Sequence, residues 1–435
     1  MFCLKWIKIL GPEVLVFSSY EYIILAYPLL FIDWAKLMRP YNEKISIYHG
    51  MASTIALNFS NNFFPIFAIT ILGASNYQVG LISSLPPLLA LLMTIPAAIL
   101  LNRANAQKRL VAISVLLARL MFLLIVVVVY LPSSSLQAWV FLGIIAFISV
   151  PNTVANVGWQ TLISGMIEET RRGQFFSDRN RLLTMVGLVS TLLIGILMKD
   201  SSESIVAYQI LFGLAFAFGL LEVLFLLKHD EVVQIDSSQD KKKSMDWSIF
   251  RNANYVWFLA AALFFNFAWQ MAWGLFNIYY VRVAGATIFW ISMFSAGSML
   301  MQILTFPLWK KWADKYSNLR IFIWAAVGMA TTPFLVVLST NLYYLTFIQT
   351  TSGFFLSGTV LILFNLLLEK SPELSRTYCI TTYNVLLAFI AFIAPQVGIW
   401  FLDQLGMDRA MYISSLLRLL SAGGFLYVYL HHRQH

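Results

Sequence analysis

The chain has 435 residues, 60% of them hydrophobic and 11% charged, with a formal net charge of +9 and a mean hydropathy of +0.76. Soluble globular domains are about half apolar and a quarter charged, so this composition excludes one and indicates a polytopic membrane protein. Cys3 and Cys379 supply neither a disulfide framework nor metal-ligand spacing, and a basic excess on loops at one side of a membrane accounts for the charge without nucleic acid.

Residues 1–47 form an N-terminal segment in which 13–32 are apolar enough to lie in or on a membrane, yet carry Glu21 and lack a small-residue cleavage site. An interfacial helix, an extra span and an extension upstream of a start at Met38 all fit this segment. From His49 onward, apolar runs recur that are long enough to cross about 30 Å of hydrocarbon as helices. Twelve spans are expected, at 49–72, 79–101, 108–131, 136–158, 181–199, 205–227, 253–280, 286–309, 319–339, 341–368, 378–401 and 407–430. Backbone groups in lipid must be bonded within their own segment, so the fold class is all-α rather than strand-built. The organisation is two six-helix halves, 48–227 and 253–430, a flexible charged linker at 228–252, and a short tail at 431–435.

Lys and Arg fix the expected orientation. The N-terminal segment, the loops after even-numbered spans and the tail hold 24 of the 29, whereas only Lys199, Arg282 and Arg409 fall on the other side. This asymmetry places both termini in the cytoplasm of a multi-pass cell-membrane protein.

The halves are related by an internal repeat. An offset of 212 carries Asn102 onto Asp314, Arg103 onto Lys315, Lys108 onto Arg320, Ser83 onto Ser295 and Phe64 onto Phe276. Glu169-Thr-Arg-Arg172 before the fifth span matches Glu373-Leu-Ser-Arg376 before the eleventh. A basic turn after the second helix of each half, with Asp314-Lys315, Arg320 and Ser317 in place of an inner Gly, and with Arg103, Lys108, Arg109 and Asn102 in place of Asp, resembles the signature of the major facilitator superfamily. The run Arg172-Gly-Gln-Phe-Phe-Ser-Asp-Arg-Asn-Arg181 looks like the loop before the fifth helix of bacterial members. The fourth span lacks an Arg and the fifth lacks a Gly-Pro-rich motif, which sets the chain apart from proton-coupled drug exporters of that family.

The resemblance implies a secondary transporter that moves a small organic solute by alternating access, through a cavity lined by the first, fourth, seventh and tenth helices. Those four spans hold Asn58, Asn61, Asn62, Asn152, Asn156, Asn266, Gln270, Asn277, Gln349 and Asn365, whereas the other eight hold only four Asn or Gln. Asn266, Gln270, Trp273 and Asn277 recur on one helical face. The competing account of any one amide is a hydrogen bond to a neighbouring helix. Arg119, Glu222 and Arg418 are the ionisable residues inside spans, expensive there, and read either as functional groups or as a structural ion pair and a carbonyl-bonded Arg. His49, His229, His431, His432 and His435 all sit at span ends or in loops, so a proton relay is hard to build and coupling is left open. The resemblance also implies that Asp314 docks against residues 177–181 of the other half, with Arg179 or Arg181 as charged partner. Asn102, the equivalent residue facing Arg376 and Tyr378, brings no charge.

The alternative functions are a non-transporting sensor or partner-binding protein, and a membrane enzyme, for which no catalytic constellation, cofactor motif or metal motif stands at useful spacing. The expected partners are the solute and the lipid bilayer, and the chain is expected to act as a monomer. The charge split predicts that a reporter fused after Arg433 lies inside the cell and one placed after Ser134 lies outside; the reverse location of either overturns this topology.

Overall fold

The computed structural model describes residues 41–431 apart from 105, 168, 200, 202, 231–246 and 373–374. The readings of the N-terminal segment before residue 41, most of the charged linker, the tail from residue 432 and Glu373 lie outside the described residues. Within them the chain forms a bundle of twelve helices. α1 runs Tyr41–Asn58 and resumes at Phe64–Thr70, followed by α2 (Asn76–Arg103), α3 (Gln107–Val128), α4 (Ser134–Met166), α5 (Glu169–Leu197) and α6 (Ile205–Leu227). The second half consists of α7 (Ala253–Ile278), α8 (Ile288–Tyr316), α9 (Asn318–Val336), α10 (Leu342–Lys370), α11 (Arg376–Leu405) and α12 (Met407–His431). Among the described residues, ten helices are long and apolar enough to cross a bilayer; α1 is interrupted, and α12 carries Arg418 near its middle.

Two boundaries differ from the hydropathy reading. α5 begins at Glu169, so the polar run 172–181 read as a loop is its first turns, and Glu169 and Arg172 lie on helix. α1 is helical from Tyr41, which places residues 41–47 in the bundle and His49 inside a helix. In both cases the helix continues past the apolar stretch into polar turns, which a hydropathy window cannot follow.

The repeat reappears in the packing. α1 packs on α5 and α6, α2 on α4, and α3 on α4 and α6; correspondingly α7 packs on α11 and α12, α8 on α10, and α9 on α10 and α12. The halves meet along α2–α11 and α5–α8, a pair of contacts exchanged by the repeat, with α2–α7 between them. Close approach on the C-terminal side depends on small residues: a Cβ on Gly398 of α11 would strike the Met271 carbonyl of α7. For orientation, the end carrying the α2–α3 and α8–α9 turns is called the basic end and the opposite one the far end.

The α8–α9 turn contains the position where the superfamily signature has Gly and this chain has Ser317. Its backbone sits at φ 85°, ψ 145°, a region adopted almost only by glycine and costing other residues about 1–3 kcal/mol. Ser317→Gly is therefore expected to raise stability by about 1 kcal/mol, read as a higher midpoint in thermal unfolding of the detergent-solubilised chain.

Candidate functional site

Helical backbone satisfies its own hydrogen bonds, so departures from regular helix in a bilayer are tolerated only where protein or a water-filled cavity surrounds them. Pro96, Pro307, Pro333 and Pro395 stand elsewhere in their helices, and four other departures gather between the halves. α1 breaks into a 3₁₀ turn at Asn61–Phe63 before Pro65; α2 contains Pro86 and Pro87; α4 contains Pro151; and α7 ends in a π turn, Tyr279–Val283. All four border one cavity of about 740 Å³ between the halves.

The cavity wall combines amides and hydroxyls with aromatic rings. Asn61 and Asn62 come from the α1 break, Ser149 and Asn152 from α4, Asn277 from α7 and Gln349 from α10. Ser83 and Ser295 face it from α2 and α8, with Phe64, Trp273, Phe276, Tyr280 and Phe294 as the rings. Gln349 donates to the Tyr280 hydroxyl, and the Phe276 and Tyr280 rings stack at 5.9 Å. Among the described residues, no Asp, Glu, Lys, Arg or His lines the wall.

Six of the eleven residues singled out on those helices line this cavity: Asn61, Asn62, Asn152, Trp273, Asn277 and Gln349. The other five do not. Asn58 donates to the Gly187 carbonyl at 3.1 Å and to Ser190 at 3.0 Å, tying α1 to α5. Asn266 is buried and donates to the Ala262 carbonyl and the Tyr383 hydroxyl, and Gln270 is buried beside it on α7. Asn156 is exposed, one turn nearer the basic end than Asn152. Asn365 donates to Asn318 at 3.5 Å, away from the cavity. The wall serines and Tyr280 were not singled out as lining residues, although the repeat offset marks Ser83 with Ser295 and Phe64 with Phe276, all four of which line the wall.

The intramembrane charges take structural partners. Arg119 of α3 grips Glu222 of α6 in two contacts of 2.8 and 3.2 Å, both side chains buried, and reaches Asn152 at 3.5 Å. Arg418 is fully buried and donates to the carbonyls of Ala268, Trp269 and Met329, fastening α12 to α7 and α9. His49, expected at a span edge, is instead buried, with Nε2 3.8 Å from Glu222. His229, just beyond α6, is also buried, and that burial pushes its ring below the usual imidazole range.

The two ends of the seam differ. At the far end Arg282 of the π turn donates to Asn76 and to the Ala74 carbonyl, and Asn76 donates to Asp403 at 3.0 Å. Nearer the middle, Gln396 donates to Ser84 at 3.1 Å. Between described residues, no side-chain hydrogen bond or ion pair joins the halves at the basic end. Asp314, Lys315, Asn102, Arg103, Arg109 and Arg376 are exposed there, while Lys108 donates to the His229 carbonyl within its own half. The expected docking of Asp314 on residues 177–181 is not formed: Arg179 is turned into its own half, donating to the Ser46 carbonyl at 3.4 Å. Among the described residues, the side-chain bonds that join the halves thus lie at the far end and toward the middle of the seam.

No curated protein sequence matches this one. A family profile described as the Major Facilitator Superfamily matches residues 50–305. The chain belongs to the major facilitator superfamily. Solved structures agree with that fold. The nucleoside transporter NupG superposes with a TM-score of 0.67 at 13% identity, covering 90% of this chain and 99% of its own. A bacterial homologue of the human lysosomal transporter Spinster, inward-facing and unoccupied, gives 0.64 at 14% identity, covering 89% and 97%. A D-xylose-proton symporter gives 0.65 at 15% identity, covering 88% and 96%. As a superfamily member the chain is a multi-pass membrane transporter rather than an enzyme.

Removing one partner from a buried ion pair leaves an uncompensated charge at a cost of about 3–5 kcal/mol, whereas replacing both by apolar groups is close to neutral. Arg119→Leu is therefore expected to lower the unfolding midpoint strongly, and the Arg119→Leu/Glu222→Leu double variant to recover most of the loss; a double variant as unstable as the single would contradict this.

Proposed function

We propose that the chain is a secondary transporter for a small, uncharged, ring-containing polar solute, bound in the central cavity and released by alternating access. The observation that carries the solute class is the wall itself. Five Asn or Gln amides, with the hydroxyls of Ser83, Ser149, Ser295 and Ser298, offer both donors and acceptors, Trp273, Phe276 and Tyr280 offer flat apolar faces, and no charged side chain lines the wall among the described residues. A charged solute entering such a site would lose hydration without a counter-charge, at a cost of several kcal/mol, whereas a neutral polar ring exchanges water for amides and stacks on the aromatics. NupG, which transports nucleosides, and the D-xylose symporter are structural neighbours whose named solutes have this chemistry.

The 24-to-3 division of Lys and Arg supports a cytoplasmic basic end with both termini beside it. In that orientation the present conformation faces inward, and the Arg282–Asn76–Asp403 cluster is the closed external gate. Asn102, Arg103, Lys108, Arg109, Asp314, Lys315 and Arg320, with Glu169, Arg172, Glu373 and Arg376, are the proposed internal gate. One chain supplies both walls of the cavity, which supports action as a monomer. The cavity and its two unequal ends favour transport over a sensor that never moves a solute.

Thermal-shift measurements on the purified chain are expected to show protection by uridine, adenosine or D-xylose, and none by benzoate or tryptamine. Trp273→Ala and Asn277→Ala should each weaken the protecting ligand about 10- to 100-fold, as lost stacking and hydrogen bonding of about 1–3 kcal/mol imply. Protection by a charged compound alone would overturn the solute class.

A further inference from the structure

Outside the cavity, toward the basic end of the N-terminal half, a polar cluster is packed in the core. Arg119, Glu222, His49 and His229 are 3%, 3%, 6% and 4% exposed. The His49 ring stacks on Trp159 at 6.3 Å and meets His229 edge-on at 6.2 Å. Both ring nitrogens of His49, Nε2 of His229 and Nε1 of Trp159 are buried without a hydrogen-bond partner. A buried polar atom left unmatched costs about 1–3 kcal/mol, so four gathered in one place are a strained arrangement unless a ligand or another conformation relieves them. The adjoining void, bordered by Trp159 and His229, is about 10 Å³, room for about one water. The charged and titratable groups facing His49 are Glu222 of α6, Arg119 of α3, Arg179 of α5 and His229 beyond α6.

We propose that His49 and Glu222 form a proton-binding site whose occupancy is controlled by the position of Arg179, making the transporter proton-linked. The inference takes the alternating-access reading as its frame. The proton comes from solvent and resides on His49 Nε2, which then donates to Glu222 Oε1, now 3.8 Å away; no bond between heavy atoms forms or breaks. In the present state Arg179 lies in a slot against α1, its guanidinium carbon 4.3 Å from the centre of the Trp159 ring and its Nη2 2.5 Å from where a Cβ on Gly50 would sit. That places a second cation beside His49, in addition to Arg119. Asp314 is exposed and unengaged at the same end of the bundle. Closing the basic end brings this carboxylate toward the first turns of α5, where it can draw Arg179 outward. With that cation gone, the imidazole can accept a proton against Glu222. The proton is therefore held when the basic end is closed and released when it is open.

The cluster is in physical contact with both places it must sense. Arg119 reaches Asn152 in the cavity wall at 3.5 Å, and the His229 carbonyl accepts from Lys108, at the start of α3 beside the α2–α3 turn, at 2.9 Å. This linkage makes a sign prediction: acid favours the state closed at the basic end.

The test uses the full chain in lipid nanodiscs, with Ser83→Cys in the cavity wall and Cys3→Ser and Cys379→Ala to remove other thiols. The rate of labelling by a maleimide is normalised at each pH to the same cysteine in the denatured chain. Labelling is expected to be about tenfold slower at about pH 5 than at about pH 8, in the range typical of coupled sites. His49→Gln should abolish this difference, and so should Asp314→Asn, whose exposed position makes misfolding no obstacle. His229→Gln should retain it. Equal rates at both pH values, or a tenfold difference that survives in either His49→Gln or Asp314→Asn, would overturn the proposal. A cysteine that labels at no pH would instead sink the open-cavity reading, and the proposal with it.

Discussion

The hydrocarbon interior of a bilayer offers no partner for a backbone N–H or C=O, and the architecture follows from that constraint. Each span must be a helix that bonds to itself, and each interruption must be sheltered. The 3₁₀ turn at Asn61–Phe63, the Pro86–Pro87 pair, Pro151 and the π turn at Tyr279–Val283 are sheltered together, around one space between the halves. The same interruptions deliver the functional side chains. Breaking α1 presents two consecutive residues, Asn61 and Asn62, to the cavity, and the π turn brings Tyr280 to the wall while Arg282 reaches across to the other half.

The fold was largely legible because the signals that specify it are long and repetitive. Apolar runs recur, charge divides between loops, and an offset of 212 aligns the halves; the packing repeats the same pairings in each. The site was legible by helix but not by depth. Asn266, Gln270, Trp273 and Asn277 share a face of α7, yet only the latter two line the cavity, because the first two lie closer to the basic end, where Asn266 bonds to Tyr383. Asn58 precedes the break in α1, so the phase that assigns it a face does not carry on to Asn61 and Asn62, and its amide holds α5 instead. His49 was missed because hydropathy starts the span where apolar residues start, while the helix begins at least two turns earlier. Partners distant in sequence, such as Glu222 for Arg119, follow from the fold and not from local spacing.

The two halves are held internally by different means. The N-terminal half uses an ion pair, Arg119 with Glu222, joining α3 to α6. The C-terminal half uses one guanidinium, that of Arg418, spread over three backbone carbonyls of α7 and α9. Carbonyls of a helix already bonded along its axis can still accept a second hydrogen bond, so a buried Arg is accommodated without any carboxylate. Close packing is shared by both halves: Gly398 seats α11 against the Met271 carbonyl of α7, and Gly219 seats α6 against the Arg119 side chain of α3.

An uncharged cavity wall also determines how such a carrier interacts with membrane voltage. One elementary charge moved across 100 mV corresponds to about 2.3 kcal/mol. A half-turn that carries a neutral solute past amides and aromatic rings transfers no charge from the wall itself, so the membrane field does no work on that part of the cycle. Electrical work then falls only on titratable groups carried along with the moving halves. Current recorded across a membrane containing this protein would count the charge those groups carry in each cycle.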